Sequence, residues 1–307
     1  MRKRVLLPSA AVSLFSCLIV YLSLSDVDVY GQQSAHAAVP SVRQTASVSK
    51  AENGSSAFSR AASENAKLRN TLQWTFGGKT QTGWNIYIPL ISHTVGTEAG
   101  PDTADFAQAL AEWQKRSGIS ATGVLDRATL ESFTRFWQSR RLGRSARSAG
   151  TSLRAAPIGE FYDPTRSPEL LQLEETTYEA YKRMIAAAAK DLKGELKLTA
   201  AGELAPGEKF LRIVSAYRSP EYQAELRRRE PGAGRAALAV NSPHSTGYAI
   251  DIYVGGEPVK TVDSNRLIQV QTPAYKWLVK NAHKFGFYPY FYEPWHWEYV
   301  PGATPSR

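Results

Sequence analysis

Two short segments near the C-terminus gather side chains able to do chemistry together. They are Ser242-Pro243-His244-Ser245-Thr246-Gly247-Tyr248-Ala249-Ile250-Asp251 and Glu293-Pro294-Trp295-His296. Between them they offer two imidazoles and one carboxylate as metal ligands, with a second carboxylate three residues ahead of the last histidine. Three protein ligands with a fourth position open are the pattern of a catalytic zinc site. A structural site would be closed by four ligands and would lean on cysteine, yet the one Cys, Cys17, lies in an N-terminal apolar run. Two imidazoles and a carboxylate suit zinc at neutral pH, and such an ion brings the pKa of water towards ~7. Glu293 is then placed to take a proton from that water and pass it to a leaving amine. The chemistry these residues spell is hydrolysis.

The elements that must position them follow from periodicity. Residues 248–254 read as a strand, in which Tyr248, Ile250 and Ile252 point one way and Ala249 and Asp251 the other. Asp251 is then a lone carboxylate on a face whose neighbour is only Ala, which leaves room for an ion. His244 lies in the loop before, and Gly247 lets the chain bend it round. Glu293 and His296 need to arrive from an adjacent strand. Upstream, Ser167-Pro168-Glu169 has the grammar of a helix start. Leu170, Leu173, Thr177, Tyr181, Met184, Ile185 and Ala188 mark one face of the long helix that would follow. Residues 210–217 alternate around Leu211, Ile213 and Ser215 as a strand, and Ser219-Pro220-Glu221 starts another helix. Thr272-Pro273 starts a further one, which Gly286 ends. Residues 287–299 supply one or two more strands. The expected class is α+β: a small antiparallel sheet with flanking helices carries the zinc site, preceded by a small, mainly helical domain.

With these residues set out, the segment 211–299 resembles the zinc D-alanyl-D-alanine carboxypeptidases of the vancomycin-resistance type. The resemblance rests on Ser242, His244, Gly247, Ala249 and Asp251, on Glu293, Trp295 and His296, and on Ser215-Ala216-Tyr217-Arg218-Ser219-Pro220 with Gln223. It implies that His244, Asp251 and His296 bind one zinc ion and that Glu293 is the general base. Arg218 would polarise the scissile carbonyl and stabilise the oxyanion, and Ser242 and Gln223 would contact substrate. The implied substrate is the stem peptide of peptidoglycan, cut at a terminal D-Ala-D-Ala. Two other reactions stay open on the same motif: endopeptidase cleavage between L-Ala and D-Glu, and cleavage of a cross-link. A different class, a non-catalytic peptidoglycan-binding protein, is disfavoured by the presence of Glu293. Taken singly, Arg218 could be an ion-pair residue, Asp251 a hairpin cap and His244 a loop residue; their occurrence in order over three segments favours chemistry. His283 has no partner spacing, and His93 and His36 lie outside this segment, so none is given a role. Trp295 and Trp297 read as core or pocket wall.

The chain has 307 residues, room for two modest domains, with 37 Lys and Arg and a net charge of +9. Many arginines fall in expected linkers (Arg140, Arg141, Arg144, Arg147, Arg154), and no stripe of them alternates with aromatics, which argues against nucleic acid. The N-terminus opens Met1-Arg2-Lys3-Arg4, then runs uncharged from Val5 to Leu24. This is a signal peptide cleaved near Ala35-His36-Ala37, or an uncleaved signal anchor at residues 1–24. Either exports the rest to the periplasm or cell wall, and the second adds membrane anchoring. The exported part has no cysteine, so packing alone must stabilise it. Residues 25–67 read as a disordered tether, 68–142 as a helical domain, 143–157 as a linker and 158–303 as the zinc domain. In the helical domain, Phe106, Leu110 and Trp113 have helical spacing, and Asp126 caps a second helix bearing Leu130, Phe133, Phe136 and Trp137. Trp113-Gln114, Ser117-Gly118-Ile119, the 122–126 loop and Thr129-Leu130 resemble the second half of the peptidoglycan-binding-domain family. The region around Gly77-Gly78 and Trp84 departs from that pattern. Peptidoglycan is the implied partner, with spacing or protein contact as the bland alternative.

Overall fold

A computed structural model describes residues 43–143 and 152–303. The expected leader, its cleavage site and Cys17 lie outside the described residues. Among those described, no helix is long and apolar enough to cross a membrane.

The first helix, α1 (Arg43–Thr71), occupies sequence expected to be a tether up to residue 67. The cause is a long-range contact. Asn65 is fully buried, donates from Nδ2 to Gly123 O at 2.9 Å, and accepts at Oδ1 from Leu125 N at 2.7 Å. A Ser- and Ala-rich stretch with few large apolar residues hides such a contact, because one amide side chain satisfies two backbone groups of a distant loop. Next come β1 (Gln73–Phe76) and β2 (Lys79–Thr82), an antiparallel hairpin. Then follow α2 (Ile88–Val95), α3 (Ala104–Arg116) and α4 (Arg127–Ser139). Thr103 caps α3, and Asp126 caps α4 by accepting from Thr129 N at 2.8 Å. Trp113 stacks on Phe133 with centroids 3.8 Å apart. The buried Gln114 ties the intervening loop, donating to Val124 O and Thr129 Oγ1 while accepting from Gly123 N.

The expected linker at 143–157 ends inside structure: β3 (Leu153–Ala155) pairs antiparallel with β4 (Gln172–Glu174). The long helix expected from residue 170 begins later, as α5 (Glu175–Asp191). Ser167-Pro168-Glu169 starts only a 3-10 turn, Pro168–Leu170, and Glu174 caps α5 by accepting from Thr177 N at 3.0 Å. Pairing with β3 is the tertiary contact that extends the backbone at 172–174.

The central sheet is four-stranded and antiparallel, in the order β5 (Ile213–Ser215), β6 (Ala249–Ile252), β8 (His296–Tyr299), β7 (Phe287–Pro289). β5 is shorter than the alternation suggested. An irregularity between Ile213 and Ser215 sets Ile213 opposite Ile252 and Ser215 opposite Asp251, so the strand changes face at a bulge. The helices α6 (Pro220–Arg229), α7 (Gly234–Ala237), α8 (Asp263–Gln271) and α9 (Pro273–Asn281) complete the fold. One side of the sheet, with Ile250, Ile252 and Trp297, packs into a core shared with Tyr181, Met184, Tyr275 and Leu278. α8 lacks the capping signal that marks α9, where Thr272 accepts from Tyr275 N at 3.2 Å.

The helical part packs directly against the part that carries the sheet. From Ala46 onward the described residues form one unit. Phe291, 2 % exposed, is ringed by Trp74, Phe76, Tyr87 and Trp137, with centroids at 6.4, 4.7, 5.6 and 5.7 Å. Arg266 is buried beneath them and donates to Tyr292 O at 3.0 Å. Removing a side chain packed like Phe291 costs about 3–5 kcal/mol, the scale of much of a domain's stability.

Candidate metal centre

Each ligand is delivered by a different local device. Asp251 sits on β6 directly opposite His296 on β8, so one cross-strand pair supplies two of the three. His244 arrives on a 3-10 turn, Pro243–Thr246. Ser242 caps that turn through Oγ, which accepts from His244 N at 3.3 Å, and its carbonyl accepts from Ser245 N and Oγ. Gly247 ends the turn at φ 74°. A Cβ there would fall 2.7 Å from Glu174 N, so only glycine lets the turn pass β4 this closely.

The three donor atoms converge. His296 Nδ1 lies 2.9 Å from Asp251 Oδ1, His244 Nε2 lies 3.2 Å from the same oxygen, and the two ring nitrogens are 3.2 Å apart. All three side chains are buried, and together they form a group able to hold a metal ion. The partners of the far ring nitrogens fix the tautomers. His244 Nδ1 donates to Ala216 O at 2.7 Å, since a carbonyl only accepts. His296 Nε2 donates to the Glu298 carboxylate at 3.2 Å. Both inward nitrogens are therefore lone pairs when the rings are neutral. Two lone pairs and a carboxylate oxygen facing one point repel each other unless a cation sits among them. The donor set fits a divalent metal by its chemistry.

Burial, aided by Arg218, pushes His244 down to about 4. Burial also opposes the charge on His296, but Asp251 and Glu298 outweigh it and lift the ring to about 9. Asp251 is held well below the usual carboxylate range: His244 and His296 outweigh the burial that would raise it.

Glu293 lies in the β7–β8 connection. There Glu293 N donates to Tyr290 O at 3.0 Å, and His296 N donates to Glu293 O at 2.9 Å. This tight turn holds the Glu293 and His296 side chains close together. Burial pushes the Glu293 carboxyl up to about 8, against the pull of His296 and Arg218. Arg218 follows β5; its backbone N donates to His244 O at 3.2 Å, and its Nη2 lies 3.6 Å from Asp251 Oδ2. The guanidinium is mostly buried, which lowers its pKa, and its Nε has no hydrogen-bond partner. Gln223, on α6, donates from Nε2 to Ala239 O at 2.9 Å and leaves Oε1 unpartnered. Glu293, Arg218, His244, Asp251 and His296 thus share one site. Ser242 and Gln223 hold the chain segment that carries His244.

Two residues of the site escaped the sequence reading. Glu298 bonds His296 from β8 itself, and Arg141, at the end of the helical part, pairs with Glu298. Glu298 was legible: two residues after His296 in a strand, it must share its face. The small neighbour Ala249, expected to make room for the ion, stands opposite Glu298 and makes room for that carboxylate instead. Nothing local signals Arg141, which lies in a distant part of the chain.

Residues 170–302 match the family model of VanY, D-alanyl-D-alanine carboxypeptidase. Among solved structures, the chain is similar to one described as "Structure of the LdcB LD-carboxypeptidase reveals the molecular basis of peptidoglycan recognition". The identity is 25%, 50% of this chain and 71% of that one are covered, and the TM-score is 0.36. No curated protein matches the chain.

Proposed function

We propose, from the match of residues 170–302 to the family model of VanY, that this protein is an exported zinc carboxypeptidase. Its substrate is the peptidoglycan stem peptide, and its reaction removes the terminal D-Ala from a D-Ala-D-Ala end. The observation that carries the reading is the convergence of His244 Nε2, Asp251 Oδ1 and His296 Nδ1 on one point beside Glu293 and Arg218. Export rests on the charged N-terminus and the uncharged run after it.

Zinc, when bound, would polarise the scissile carbonyl and acidify water towards ~7. The chain's own residues do the rest. His244 and His296 present lone pairs because Ala216 O and Glu298 take their other protons. Glu293, buried beside the ligand cluster, takes the proton of the attacking water and hands it to the departing D-Ala amine. Arg218, held 3.6 Å from Asp251 at the edge of the ligand cluster, would stabilise the carbonyl oxygen as negative charge grows there. Ser242 and Gln223, which hold the segment carrying His244, would contact the substrate backbone.

The test is mass spectrometry of purified muropeptides incubated with the protein, with and without a chelator. Loss of one alanine from pentapeptide stems, abolished by the chelator, is expected. Cuts within the stem or at cross-links would replace the carboxypeptidase by an endopeptidase. No turnover by a zinc-loaded protein would leave a wall-binding protein.

A further inference from the structure

We propose that Glu298 is a positioning residue for the metal ligand His296, and that Arg141 and Leu142, leaving the helical part, hold Glu298 in place. The helical part would then complete the metal site instead of serving only as an attached module. This rests on the metal-site reading above.

The chain of contacts is continuous. Glu298 is fully buried on β8, opposite Ala249. Its Oε1 accepts from His296 Nε2 at 3.2 Å and pairs with Arg141 Nη2, while its Oε2 accepts from Leu142 N at 2.9 Å. The Arg141 guanidinium lies over the Tyr290 ring at 4.0 Å, and Tyr290 meets the His296 ring edge-on with centroids 5.8 Å apart. Arg141 also donates to Gln138 of α4. His296 is therefore gripped through Glu298 and Tyr290, and both are held by Arg141.

The grip has a chemical purpose. A half-turn of the His296 ring would swap Nδ1 for a carbon at the ligand position. Glu298 discriminates between the two orientations, because only one brings Nε2–H to its oxygen. It also fixes the tautomer that bares Nδ1, and its charge raises the ring's basicity as a ligand. A carboxylate buried this deeply must be compensated. Neither β6 nor β7 supplies a cation for that purpose. Arg141 does, together with the Leu142 N–H, and both lie in a segment separated from β8 by more than half the chain. The site is built in two pieces that meet only when the helical part docks.

The experiment compares wild type, Glu298→Gln and Arg141→Met in the full chain. Zinc affinity is measured by competition with a fluorescent chelator, and ligand geometry by the visible spectrum of the cobalt-substituted protein. Glu298→Gln keeps the shape and removes the charge; zinc affinity is expected to fall ~10–100-fold, with altered cobalt bands. Arg141→Met keeps the stem on Tyr290 and should give a smaller loss, several-fold, with the same spectral change. A purely structural role would lower the melting temperature and leave the folded protein's cobalt spectrum as it was. If Glu298→Gln fails to fold, Arg141→Met, at the partly exposed end of the relay, decides alone. Zinc affinities within twofold of wild type and unchanged cobalt bands would overturn the proposal. A wild type that binds zinc but cleaves no muropeptide would remove the carboxypeptidase reading and leave this one to the affinities; a wild type that binds no metal would remove both.

Discussion

Arg218 meets Asp251 through the carboxylate oxygen that the histidines do not use: Nη2 lies 3.6 Å from Oδ2, while Oδ1 faces His296 Nδ1 at 2.9 Å and His244 Nε2 at 3.2 Å. One carboxylate thus separates a ligand edge from a cation edge. The guanidinium is drawn close to the ligand cluster but cannot occupy its centre. On the proposed reading this buried arginine would stabilise an oxyanion.

Replacing Arg218 by Lys keeps a positive charge and loses the planar fork. Turnover is expected to fall ~10²–10³-fold, the usual effect of removing one oxyanion donor. Zinc stoichiometry should stay at one, because the ligand edge of Asp251 is untouched. Steady-state kinetics and metal analysis of the same preparation check this. A variant with wild-type kcat would show that the arginine only balances the charge of Asp251.

The motif places a carboxylate three residues before His296, and the fold buries that carboxylate beside the ligand cluster. Glu293→Gln should keep zinc and fold while losing ~10²–10⁴-fold in turnover. Zinc content and turnover, measured together, separate a missing base from a broken site. Retained turnover would move the role of base elsewhere.

The three candidate ligands do come together, and the devices that bring them were partly readable: strand alternation aims Asp251, a turn that needs Gly247 carries His244, and an adjacent strand delivers His296. What could not be read depends on contacts between distant segments. The pairing of β3 with β4 turns residues 172–174, expected inside the long helix, into a strand. The bulge in β5 changes which face Ser215 shares. Arg141 was read as a linker arginine, and it is instead the counter-charge of a buried glutamate. Composition also misled at residues 43–67, since a helix poor in large apolar residues can still be docked by one buried amide.

That amide makes the boundary testable. Asn65 satisfies Gly123 O and Leu125 N, both in the loop leading to the α4 cap. Asn65→Ala leaves two buried backbone groups without partners, at about 1–3 kcal/mol for the penalty. Urea denaturation should report a loss of that size for the whole unit, because the helical part and the sheet share the Phe291 cluster. A change below ~0.5 kcal/mol, the range of an ordinary surface substitution, would return residues up to 67 to the status of a tether.

The junction of the two parts should also be sensitive to acid. His93 on α2 and His283 after α9 face each other with centroids 5.9 Å apart, and both line a cavity of about 310 Å³. Part of the His93 ring reaches solvent, yet the packed wall, then Lys280 and Arg140, hold its pKa below the ordinary value; only Glu98 pulls the other way. His283 is lowered by burial first, then by His93, Lys284 and Arg140. Both rings are thus neutral in the fold at pH values where an unfolded chain, titrating near ~6.5, already binds protons. Between those limits the unfolded state holds more protons, so stability rises with pH; it is complete above the unfolded value and is lost as pH falls towards the folded ones. Urea midpoints measured at pH 7.5 and 5.5 should drop on acidification in the wild type, and the drop should shrink in a His93→Asn, His283→Asn double variant. The two histidines at the metal position act in opposite directions, His244 lowered and His296 raised, so the comparison is made on zinc-loaded protein, where neither is free to take up a proton. Equal acid sensitivity in wild type and double variant would show that this pair contributes nothing to the pH dependence of the junction.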